Sequence, residues 1–210
     1  MDFLRDDLRN KKVLVLDLET TGFNVNYANI LQCAMLEYSD DLTKWKYHND
    51  YYCPQKPISA EVANVTGLTT KFLQKESGGL FFDEKFGKVK DILDSADALV
   101  GHNIERYDTQ VLKNNARRAG YNLNLSHLDK YDTFTHKKEL HPSFTGRSGK
   151  LVDLYHKMSP YTESQADEFV QYLLKYHGLP ELSAHNALYD ITMNALVLFY
   201  ARQQNMNKRK

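Results

Sequence analysis

The chain has little cysteine, no excess of either charge and no long apolar run, and each shortage removes a class of protein. Two cysteines, Cys33 and Cys53, make neither a disulfide framework nor a cysteine-ligated metal cluster. Both sit in strand-like runs, as small hydrophobes of a reducing compartment do. Twenty-seven basic residues balance twenty-seven acidic ones, so the formal net charge is 0. A protein that grips nucleic acid by bulk electrostatics is strongly basic, so any such contact here is confined to a local site. No stretch approaches the ~18 apolar residues of a membrane span. The opening residues Met1-Asp2-Phe3-Leu4-Arg5-Asp6-Asp7-Leu8 carry charges where a signal peptide needs an apolar run. The expected location is the cytoplasm, with no membrane partner. What remains is ordinary: 42% apolar and 26% charged over 210 residues describe a globular chain, neither disordered nor fibrous. Residues 1–210 are expected to form a single domain with its core at about 11–204.

Val13 to Glu19 opens as a continuous apolar run, the mark of a central strand buried on both faces. Ile30–Tyr38 predicts a second strand, and Lys44–Cys53, rich in Trp and Tyr, a third. Short links between them predict an antiparallel meander, which Pro54 and Pro57 end. Helical texture starts at Ser59, with Gly67 as a stop and Gly78-Gly79 as a break. Phe82, Phe86, Val89 and Leu93 fall at helical spacing. Ala98–Gly101 predicts a short buried strand, followed by a helix from about Glu105 to Ala119, and residues 125–133 a fifth strand. Three further helices are predicted at 150–158, 163–177 and 187–204, then a frayed basic tail at Lys208-Arg209-Lys210. The fold class is α/β, a mixed five-stranded sheet flanked by helices.

Asp17 and Glu19 stand two apart on the first strand, so both carboxylates point to one face. With 27 acids in 210 residues such pairs arise a few times by chance. These two, however, terminate the most apolar strand in the chain, where unpaired acids are costly to bury and a hard divalent cation would offset the cost. Thr20-Thr21-Gly22-Phe23 follows, offering hydroxyls and backbone N–H groups to a phosphate or sugar and a ring to a base. A turn after a strand is the plainer reading. His102-Asn103 and Arg106-Tyr107-Asp108 lie at a strand-to-helix junction, where open α/β sheets bind ligands. Taken alone, Asp108 is an ordinary acid in a first helical turn. His185 and Asp190 cannot share a face if both are helical, because five residues turn through about 500°. They converge only if His185 comes from the loop before the helix.

Together, Asp17-Leu-Glu19-Thr-Thr-Gly-Phe, Gly101-His-Asn with Tyr107-Asp108, and His185-Asn-Ala-Leu-Tyr-Asp190 resemble the DEDDh family of three-prime exonucleases. That family includes bacterial proofreading subunits and has an RNase H-like fold. Three motifs in order are far more specific than any one. The sister group with a catalytic tyrosine is a worse match: its tyrosine falls where Asn186 stands, and Tyr189 is out of register. The five-residue step from Asn103 to Asp108 is similar to that of the three-prime repair exonucleases of animals, which act on DNA. Residues 58–69 look like the family's segment after the third strand, with Thr66 where many members have His. Two segments, 150–158 and 169–178, each resemble the family's Lys-Leu-x-x-Leu helix, so one lies in an insertion within 134–182.

The resemblance implies a metal-dependent hydrolase that releases 5′-mononucleotides from 3′ ends, single-stranded or frayed, with DNA favoured over RNA. It implies two divalent ions, Mg²⁺ or Mn²⁺, held by Asp17, Glu19, Asp108 and Asp190, with Asp17 bridging them and His185 as general base. Thr20, Thr21, Gly22, Phe23, Leu68 and Asn103 are the implied substrate contacts, Phe23 stacking on the terminal base with Leu68 as its apolar partner. A polymerase or other replication partner is compatible with this reading, although a chain ending soon after its last helix points to a stand-alone enzyme or small subunit. The alternatives are an exoribonuclease of the same family and, more remotely, a silent nucleic-acid- or polymerase-binding module, against which the intact catalytic set argues.

Overall fold

A computed structural model describes residues 4, 6, 8–144 and 149–207; the expected basic tail at 208–210 lies outside them. Strands β1 (Val13–Thr20), β2 (Ile30–Tyr38), β3 (Lys46–Tyr51), β4 (Ala98–Gly101) and β5 (Asp129–Asp132) form one sheet in the order β3-β2-β1-β4-β5. β1 pairs antiparallel with β2, and β2 antiparallel with β3. β1 and β4 are parallel, as are β4 and β5. The expected mixed five-stranded sheet is therefore present. Between β3 and β4 lie helices α1 (Ala60–Thr66), α2 (Thr70–Glu76) and α3 (Phe82–Asp94). Helix α4 (Asp108–Arg118) joins β4 to β5, and α5 (Lys137–Leu140), α6 (Leu151–Met158), α7 (Glu163–Tyr176) and α8 (Ala187–Asn207) follow.

β1 alternates between two cores, which is why its sequence is apolar throughout. Leu14, Leu16 and Leu18 point into a cluster with Phe86, Val89 and Leu93 of α3 and Val111 and Leu112 of α4. Val13 and Val15 point the other way, into a cluster built on α8 with Leu154 of α6 and Val170 of α7. Asp17 and Glu19 continue this second face, so the alternation that builds the core also aims both acids at α8. Rather than showing one apolar face, α8 is buried on nearly all sides along residues 187–202, because α6 and α7 cover its outer surface.

Elements that differ from the sequence reading are short or pinned by distant groups. α4 starts at Asp108, not near 105, because the intervening turn is held by a buried carboxylate: Asp132 accepts from the backbone N–H groups of Asn103 (2.8 Å) and Glu105 (3.4 Å). α2 buries one side chain, Leu73, and is fixed by its cap, Thr69, which accepts from Phe72 N–H. α5 is a single turn. β3 is shorter than expected because residues 42–44 form a 3₁₀ turn capped by Asp41. Among the described residues no helix is long and apolar enough to cross a membrane.

Gly101 closes β4 where the chain turns back on itself. A Cβ there would lie 2.6 Å from Cβ of Ile104, itself fully buried. Gly101→Ala is expected to destabilise the fold by about 1–3 kcal/mol through overpacking, checked by urea denaturation against the parent chain.

Candidate active site

The carboxyl-terminal ends of β1, β4 and β5 share one edge of the sheet, and the acids collect there. Carboxylate oxygens of Asp17, Glu19 and Asp190 all lie within 4.8 Å of one another. Asp190 stands in the first turn of α8, where the backbone N–H of His185 lowers its pKa. Asp108, the first residue of α4, is 4% exposed, with its own N–H and that of Leu18 near enough to lower its pKa. Three elements thus deliver four acids, two of them from opposite faces of the sheet.

Burial is the main cause that pushes all four carboxyls above their ordinary range, and repulsion from neighbouring acids adds to it at Asp17 and Glu19. Asp17 is raised well above that range by burial, then by the charges of Asp108, Asp190 and Glu19. Burial and the charges of Asp190 and Asp108 push Glu19 to about 9. Burial raises Asp108 to about 8 and Asp190 to about 7, against the pull of their backbone hydrogen bonds. Four such groups are not all ionised together near neutral pH unless a cation joins them. An all-oxygen, thiol-free donor set of this kind suits Mg²⁺ or Mn²⁺, so the residues fit the metal that the family implies.

Two hollows meet at the acids. One, of about 460 Å³, is lined by Glu19 to Phe23, by Ser59, Val62 and Val65 of the α1 region, and by Asn103, Tyr107 and His185. The other, of about 430 Å³, is lined by Asp17, Asp190, His102, Asn103, His185 and residues 149–152. It is therefore the start of α6, and not α7, that borders the acids. His185 is exposed and precedes α8, as its convergence with Asp190 requires. His185 and Asn103 are the two non-glycine residues of left-handed φ among those described, at 66° and 64°. Both stand in the shared wall, where backbone strain of this kind commonly gathers.

The Thr20–Phe23 turn is fastened from below. Tyr107 Oη donates to the Gly22 carbonyl (2.6 Å) and is hydrogen bonded to Thr20 Oγ1. Thr21 Oγ1 accepts from Asn29 N–H (2.9 Å). The threonine hydroxyls thus shape the turn, while Phe23 is left 89% exposed at the cleft. Leu68 does not reach the cleft: it is buried with Leu31 and Leu73, because α1 ends one residue earlier at Gly67 and the chain turns inward. Val62 and Val65 occupy the wall that Leu68 was expected to share with Phe23.

Three polar residues that the sequence reading passed over hold this geometry. Gln32, the register partner of Glu19, is fully buried. Its Nε2 donates to Asn49 Oδ1 (2.9 Å) and Asn186 Oδ1 (3.3 Å), and its Oε1 accepts from Ala187 N–H (3.3 Å). It ties β2 to the start of α8. Asn186 Oδ1 also caps Leu188 N–H (3.1 Å). Asp132, fully buried, fixes the 103–105 turn and also accepts from Phe134 N–H (2.9 Å). The available signal was a polar residue inside an otherwise apolar strand, Gln32 between Leu31 and Cys33.

Each of the four site acids holds its proton more tightly in the folded chain than in the unfolded one. Folding then takes up protons between the ordinary carboxylate range and the values of about 7 to 9, so stability falls as pH rises through that window. In chelator, the melting temperature is expected to drop between about pH 5 and pH 9, and Asp17→Asn to flatten the drop. Mn²⁺ is expected to restore more at about pH 8 than at about pH 5, because it competes with protons. Thermal melts with and without Mn²⁺ check this, and a metal-free Tm rising over the window contradicts it.

Known proteins resemble this chain in sequence or fold. A curated relative, the PolC-type DNA polymerase III of Latilactobacillus sakei subsp. sakei (strain 23K), is 28% identical over 149 residues, 67% of this chain; the chain spans 9% of that protein's length. E. coli exonuclease I in complex with a dA16 oligonucleotide superposes with a TM-score of 0.65 at 17% identity, over 95% of this chain and 42% of that one. Exonuclease X in complex with 5′ overhanging duplex DNA gives 0.60 at 18%, over 93% and 92%. At these identities the structural likeness is one of fold. The RNase_T family model, described as exonuclease, matches residues 14–198, and the chain belongs to this exonuclease family of enzymes.

Proposed function

We propose that the chain is a metal-dependent 3′–5′ exonuclease acting on DNA, releasing 5′-mononucleotides with two divalent ions and a histidine general base. The observation that carries this reading is the meeting of Asp17, Glu19, Asp108 and Asp190 beside an exposed histidine at the junction of two open hollows. DNA is favoured because both structural relatives described above are bound to it. The similar stretch within a polymerase III supports a replication partner.

Asp17, Glu19, Asp108 and Asp190 would hold the ions. When bound, divalent ions lower the pKa of water, neutralise the phosphate and stabilise the leaving oxygen. The chain's own tasks are positioning and proton transfer. Asp17 is the carboxyl on which all three other acids act, so its charge would depend most on bound ions. The loop that presents the imidazole brings the His185 backbone N–H beside the Asp190 carboxyl, where it lowers that pKa. An imidazole nitrogen of His185 takes the proton of the attacking water, a general-base role. The Thr20–Phe23 turn, held by Tyr107, presents the Phe23 ring to the terminal base, with Val62 and Val65 opposite. Asn103 borders both hollows, where the terminal nucleotide and the scissile phosphate would lie.

End-labelled linear single-stranded DNA is expected to shorten stepwise from its 3′ end in Mn²⁺, and circular single-stranded DNA to survive. Cleavage of the circle would leave a nuclease but remove the exonuclease. Asp17→Asn is expected to abolish activity together with metal binding. His185→Ala should keep metal affinity and lose roughly 10²–10⁴ in single-turnover rate. Mn²⁺ calorimetry beside those rates separates the two roles, and equal loss of metal in both variants would make His185 a ligand.

Phe23→Ala should raise KM by the equivalent of roughly 1–3 kcal/mol with Tm unchanged, since the ring packs on nothing that its exposure would reveal as core. A lower Tm with unchanged KM would make Phe23 a packing residue.

A further inference from the structure

Phe23 and Tyr27 are the most exposed large apolar side chains among the described residues, at 89% and 78%. The loop that carries them is nonetheless clamped to α4. Asn114 Nδ2 donates to the Val25 carbonyl (3.0 Å), and the Arg118 guanidinium donates to the carbonyls of Asn26 and Ala28 (2.8 Å each). Clamping a loop costs conformational entropy, and this one presents two bare rings instead of burying them. Phe23 belongs to the cleft. Tyr27 does not line it.

The outer face of α4 is basic. Tyr107, Asn114 and Arg118 turn toward the loop. Gln110, Lys113 and Arg117 lie roughly a quarter turn around the helix from them, and Arg106 stands one turn earlier. Arg106, Lys113 and Arg117 are exposed. Among the described residues none of the three has a carboxylate within ion-pair distance. Arg118 is shifted down by its burial and by the charge of Arg117, with no acid opposing. In a chain of zero net charge this stripe is, among the described residues, a local concentration of unpaired positive charge.

Loop 22–29 links the cleft to α4: Gly22 and Phe23 line the cleft, while Val25, Asn26 and Ala28 lie against α4. Arg106 adjoins Tyr107, which lines the cleft, and Lys113 and Arg117 carry the positive charge along α4 away from it. We infer that Arg106, Lys113 and Arg117, with Tyr27, receive the backbone of the strand paired to the one being shortened, so that the substrate class is the 3′ end of a duplex. The inference rests on the reading of the cleft as a 3′-exonuclease site. Phosphates meet the three cations, and Tyr27 offers a stacking face to a base of the paired strand.

The test is binding without turnover. In chelator, fluorescence anisotropy compares a labelled single strand with the same strand annealed to its complement. Lys113→Gln/Arg117→Gln is expected to weaken duplex binding roughly tenfold at low salt and to reduce the slope of log Kd against log salt by about 2. Single-strand Kd should move by less than about twofold. Tyr27→Ala should weaken duplex binding alone. Equal weakening on both substrates, or no change on either, overturns the inference. Because no cleavage is read, a chain that shortens no DNA yet shows this duplex-specific loss refutes the nuclease reading and upholds the surface.

Discussion

Four carboxylates gathered at the half-buried junction of two hollows are the constraint on which the rest of the structure depends. Burial raises each above its ordinary range, and the charges of their neighbours raise Asp17 and Glu19 further. A fold that assembles such a cluster gains nothing from it as a metal-free protein. The cluster is held together by groups with no stake in the charges themselves. β1 is locked between two apolar cores, α8 is buried on nearly all sides, and α4 is anchored by the Asp132-bound turn that precedes it. The rigidity of these three elements keeps mutually repelling acids from drifting apart.

Neutral amides do the joining. Gln32 reaches from β2 to Asn186 and Ala187, so the strand beside Glu19 and the helix bearing Asp190 move as one. The left-handed backbone at Asn103 is tolerated because its N–H is held by the buried Asp132 carboxylate. Charge is thus concentrated at two places, acidic in the cleft and basic along α4, while the whole chain sums to zero.

Much of this was legible in the sequence. The apolar run ending in Asp17 and Glu19 identified the central strand and the direction of its acids, because strand alternation is a local property. The angular mismatch between His185 and Asp190 required a loop, and α8 begins at Ala187 as that requires. What was not legible depended on distant partners. The late start of α4 is set by Asp132, 24 residues beyond Asp108 in the sequence. Leu68 is drawn inward by Leu31 and Leu73, contacts that spacing along the chain does not encode. Gln32 looked like an interruption in a strand until the start of α8 was seen against it.

If the cluster exists for cations, binding them must expel protons. Calorimetric titration of Mn²⁺ into the chelator-treated chain near pH 7, repeated in buffers of different ionisation enthalpy, counts those protons directly. Saturable binding with release of about one proton or more per chain, lost in Asp17→Asn, is the result expected from four acids of raised pKa. Binding with no proton release, or binding that Asp17→Asn leaves intact, would mean that these acids are not the metal's ligands.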